Sequence, residues 1–96
     1  MTEQQIIERI RATADKRILA VELERNLATQ DYLDGVLEGA SEAKTDFLDS
    51  EALFLPEDFV EEMKQTISSV SLRIEKRLEQ LKRVESAIRQ QMEKAL

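Results

Sequence analysis

The chain contains no cysteine, no histidine and no tryptophan, and only two glycines and one proline in 96 residues. Without cysteine there is no disulfide and no thiolate nucleophile or ligand, and because small secreted domains are usually bridged, a cytoplasmic location is expected. Without histidine, the commonest acid–base group, the commonest metal ligand and every Ser-His or Cys-His pair are missing. Zinc and di-iron sites would have carboxylates alone, so no metal and no cofactor is expected. The acidic run Asp46-Phe47-Leu48-Asp49-Ser50-Glu51 has neither the alternating oxygens nor the central glycine of a calcium-binding EF-hand loop. Gly35 and Gly39 stand apart and form no phosphate-cradling loop. Catalysis by carboxylates alone needs two acids facing each other in a walled pocket, which a pair of helices does not supply, so the chain is not expected to be an enzyme. No stretch approaches eighteen consecutive apolar residues, and Met1-Thr2-Glu3-Gln4-Gln5 opens no secretory leader; the expectation is a soluble protein with no membrane partner.

What is present is 42% hydrophobic and 35% charged residue, the composition of long helices. A chain of this length makes one small domain, 1–96, with a surface-to-volume ratio that favours a second copy or a partner. The net charge of −6 argues against nucleic acid or an anionic membrane as partner, since both call for clustered Lys and Arg. Its distribution is uneven: residues 26–72 hold eleven acidic and two basic groups, residues 73–96 four acidic and seven basic.

Residues 56–95 organise the chain. Val60, Met63, Ile67, Val70, Ile74, Leu78, Leu81, Val84, Ile88, Met92 and Leu96 fall within about a third of a helical circumference, with Leu72 as the main outlier. Such a helix is about 60 Å long, more than a domain of this size can bury alone, so it calls for a partner helix. Pro56 suits its first turn, where a missing N–H is harmless, and Glu57 and Asp58 suit the positive end of its dipole.

A first helix is expected over 3–38. Thr2-Glu3-Gln4-Gln5 has capping-box spacing, and the helix should end between Gly35 and Gly39, where glycine can satisfy the last carbonyls. Ile7, Ile10, Ala14, Ile18, Val21, Ala28, Tyr32 and Val36 form one stripe, expected to mate with the long helix. Leu19, Leu23, Leu27 and Leu37, with Ala12, lie on another side that a hairpin alone would leave wet, so the middle segment or a second copy, or else a different protein, should cover it. Residues 40–55 form the bend, and the densest apolar cluster, Phe47, Leu48, Leu53, Phe54, Leu55 and Phe59, lies there and just beyond, rimmed by acids. It is either a plug sealing the bend or an exposed aromatic anchor.

These patterns predict an all-α antiparallel hairpin of two long amphipathic helices with a short helical or irregular bend, dimerising into a coiled-coil or four-helix assembly. In kind, a short acidic helical hairpin resembles small adaptors, secretion chaperones and assembly factors, a resemblance of shape and composition that assigns no residue roles. The expected function is protein binding, by a homodimer contacting another protein through Leu19, Leu23, Leu27, Leu37, Phe47, Phe54, Leu55 and Phe59. The alternatives are an acidic decoy that occupies the basic groove of a nucleic-acid enzyme, or an RNA-binding hairpin that uses Arg73, Lys76, Arg77, Lys82, Arg83, Arg89 and Lys94.

Overall fold

The computed structural model describes residues 1–45 and 54–95. They form three helices, α1 (Glu3–Arg11), α2 (Lys16–Ala43) and α3 (Glu57–Lys94), and no strand occurs among the described residues. The long C-terminal helix is as expected. The Pro56 carbonyl accepts the N–H of Val60 at 3.0 Å, so the proline sits at the cap, where it needs no donor of its own. Glu57 and Asp58 fill the first turn and Lys94 the last, each complementing the helix dipole. The capping box at the start of α1 also forms. Thr2 Oγ1 accepts from the Gln5 N–H at 3.2 Å and Gln5 Oε1 accepts from the Thr2 N–H at 2.9 Å.

The single first helix expected over 3–38 is instead two helices, parted at residues 12–15. No glycine or proline makes this break, and no described residue has a positive φ. Short polar side chains make it by competing for the backbone: Thr13 Oγ1 donates to the Arg9 carbonyl at 2.8 Å, and Asp15 Oδ1 accepts the Arg17 N–H at 2.9 Å, capping α2. From α3, Gln91 Nε2 donates to the Thr13 carbonyl at 2.9 Å and ties the turn down. At its other end α2 runs through both glycines to Ala43. Neither glycine adopts the left-handed conformation that a helix stop would require, so the expected stop at Gly35 to Gly39 is corrected to beyond residue 43.

Contacts divide the chain into two compact units, Met1–Asp31 with Arg77–Leu96, and Tyr32–Lys76. In the first, α1, the beginning of α2 and the end of α3 surround a core of Ile10, Leu19, Ala87, Ile88 and Ala95, flanked by Ile6, Ile7, Leu23, Val84 and Met92. Arg83 Nη2 pairs with Glu3 Oε1 at 3.0 Å and Gln91 reaches Thr13, so α1 and the end of α3 run in the same direction. In the second unit, no described side chain is fully buried; Leu33, Val36, Leu37, Met63, Ile67 and Ile74 are half-buried.

The sides of α2 are reversed from expectation. Leu19, assigned to a wet side, is 2% exposed, whereas Ile18, assigned to the mating stripe, is 54% exposed, and Val21 and Tyr32 are open as well. The turn at residues 12–15 is the reason. A stripe extrapolated from Ile7 and Ile10 assumes an uninterrupted 3.6-residue period, and four non-helical residues reset the phase before α2 begins.

Candidate interaction surfaces

The buried side of α2 continues from Leu19 and Leu23 into two polar residues, Asn26 and Gln30, both buried. Asn26 Nδ2 donates to the Leu81 carbonyl at 3.1 Å, and Gln30 Nε2 donates to Asn26 Oδ1 at 2.6 Å and to Glu85 Oε1 at 2.8 Å. Glu85 also pairs with Arg89 at 2.8 Å. The Gln30 amide foremost, and Arg89 next, hold the Glu85 carboxyl below its ordinary value of 4.5. Among the described residues, no buried side-chain nitrogen or oxygen lacks a partner. The network therefore fixes one alignment of α2 on α3, because sliding either helix would strand buried polar groups. Sequence reasoning missed these residues, although the signal was there: Asn26 and Gln30 stand seven and eleven positions after Leu19, where the apolar stripe should continue.

Beside this network an open groove of about 510 Å³ runs along the first unit. Its walls are apolar, with Ile6, Ile10, Ile18, Leu81, Val84 and Ile88 among them, and its exposed margin carries Arg9, Glu22 and Arg25. Arg25 pairs with Glu22 at 3.3 Å, leaving Arg9 as the net charge of that margin. The second unit has a more open cleft of about 640 Å³, where Leu37 and Ile67 meet Ser41, Lys44, Ser71 and Glu75.

The other apolar surface of the second unit lies at the start of α3. Phe54 is 95% exposed, Phe59 45% and Leu55 38%, with Glu57 and Asp58 between them, both exposed. Asp58 Oδ1 accepts the Phe59 N–H at 2.9 Å, so one of these acids also orders the first turn of the helix.

The expected site residues thus separate. Leu19 lies in the core, Leu23 packs against it, and Leu27 and Leu37 are half-buried, so the leucine side is not an open face. Phe54, Leu55 and Phe59, within six residues of one another in the chain, are all exposed, and Phe47 lies outside the described residues. Among the described residues, no three acidic side chains are grouped to hold a metal ion, and no helix is long and apolar enough to cross a membrane. No family profile, curated protein or solved structure matches the chain, so the surfaces themselves carry the functional reading.

Proposed function

We propose that the chain is a small non-enzymatic protein-binding module, an adaptor, assembly factor or chaperone-like protein that works through apolar helical surfaces. The observation that carries this reading is the Phe54–Leu55–Phe59 cluster. An aromatic side chain left 95% exposed, with apolar neighbours and an acidic surround, has the make-up of a binding anchor with a polar rim. Antiparallel pairing of α2 with α3 belongs to the same reading. Its support is that Leu19 shares a core cluster with Ile88 and Ala95, whereas Asn26, two turns later, reaches back to Leu81.

Catalysis has no support in the chemistry at hand. Glu85, a carboxyl held ionised by an amide and a guanidinium, would be a poor general acid. The acidic-decoy reading rests on the second unit, which carries eleven acidic and four basic residues. The RNA-binding reading is weakened because Arg83 is engaged by Glu3 and Arg89 by Glu85.

The test is capture of partners from the source cell by wild type and by Phe54→Ser, with thermal unfolding measured in parallel. Capture lost at unchanged stability supports the anchor; capture retained removes it. Binding that collapses between low and high salt would favour the decoy instead, because an apolar interface responds little to ionic strength.

A further inference from the structure

We propose that the acid-flanked aromatic cluster of one copy docks into the apolar groove of a second copy, making a head-to-tail contact between two different surfaces of the same chain. The proposal rests on the reading of that cluster as a protein-binding anchor and names what it binds. A dry apolar cavity of about 150 Å³ holds one benzene ring, so a groove of about 510 Å³ has room for Phe54, Leu55 and Phe59 together. Both surfaces are uncovered: Phe54 stands almost wholly in solvent, and Ile18 and Met1, on the groove, are exposed.

Charge disfavours one symmetric pairing and burial the other. The unit that bears the cluster carries eleven acidic and four basic residues, and the unit that bears the groove carries nine acidic and ten basic. Cluster against cluster would press two strongly acidic units together, and like-charge juxtaposition opposes association. Groove against groove would leave both aromatic clusters in water. Cluster into groove buries the aromatic side chains while bringing Glu57 and Asp58 to a margin whose net charge is Arg9, Arg25 being paired with Glu22. Because each copy then offers one donor and one acceptor surface, association continues into rings or open chains unless a partner blocks it.

The experiment is light scattering behind size exclusion on full-length wild type, Phe54→Ser and Ile18→Glu, over a concentration series, with circular dichroism as the check on folding. Phe54 is too exposed for its loss to unfold the chain, and Ile18 lies in the first turn of α2, where an acid complements the dipole. Wild-type mass should rise with concentration above that of one 11.1 kDa chain. Each variant alone should associate at least about tenfold more weakly, as expected for a lost aromatic anchor or a charge buried in its pocket. Mixed in equal amounts, the two should form a heterodimer and stop there, since Ile18→Glu still offers the cluster and Phe54→Ser still offers the groove. The proposal is overturned if either variant alone associates like wild type, if the mixture stays monomeric, or if wild type is monomeric throughout. A monomeric wild type that still captures a partner through Phe54 would overturn the self-contact and leave the protein-binding reading standing; loss of both would remove both.

Discussion

The two units of this chain are built from stretches of the same α2 and α3, yet among the described residues only the first has a closed core. Every buried residue among those described, from Ile10 and Leu19 to Ala95, belongs to it, and it alone includes α1. Two helices can shield only the faces they turn towards each other, whereas a third closes the seam and lets side chains be surrounded. The nine residues of α1 therefore divide a region with an enclosed core from one whose described apolar residues stay half-wet or exposed. The second unit also holds the acidic excess, which repels itself and further weakens compaction. The enclosed core and the exposed side chains of Phe54 and Phe59 thus lie in different units.

That contrast can be broken most directly by truncating one leucine in each unit. Leu19→Ala should destabilise the protein by about 2–5 kcal/mol, the range for a fully buried leucine, and the half-buried Leu37→Ala by about 1 kcal/mol; equal losses in urea unfolding would show that the second unit is packed as tightly as the first. A smaller effect of opposite sign is expected from Gly35→Ala and Gly39→Ala. Both glycines lie inside α2 with a right-handed backbone, and an added Cβ would meet nothing within 4 Å. Each substitution should therefore stabilise by about 0.5–1 kcal/mol, raising the melting temperature by a few degrees; a fall would show that something covers that face.

The smallest expected effect is a pH dependence seated in the first unit. The folded-state pKa of Glu85 is depressed, so the stabilisation it brings is present at neutral pH and is lost as pH falls below 4.5 through the folded value. Comparing wild type with Glu85→Gln by thermal unfolding over this range isolates it. The difference between them should shrink on acidification, and a constant difference would mean that the Gln30 and Arg89 contacts do not favour the ionised form.

Much of the local structure was legible in the residues. The Thr2 box, Pro56 at the head of α3 and the long stripe from Val60 to Met92 all rest on short-range rules, and all three elements formed. The turn at residues 12–15 was not legible, because Ala12-Thr13-Ala14-Asp15 contains no glycine or proline and is held partly by Gln91, 78 positions away from Thr13. From that one omission followed the reversed sides of α2, with Leu19 expected outside and Ile18 expected inside. The exposed aromatic cluster lay between two readings, plug or anchor, since composition sets how apolar a stretch is and not whether another element reaches it.

By itself, the order of residues determined that this protein would be helical, where its longest helix would begin, how its charge would be distributed, and which ligands and nucleophiles it would never have. Each of these depends on the residue itself or on neighbours within a turn or two. Tertiary structure alone decided where the first helix breaks, which edge of α2 meets the core and which leucines become unreachable. Those outcomes depend on contacts such as Gln91 with Thr13 and Gln30 with Glu85, which join residues far apart in the chain and exist only once the helices have packed.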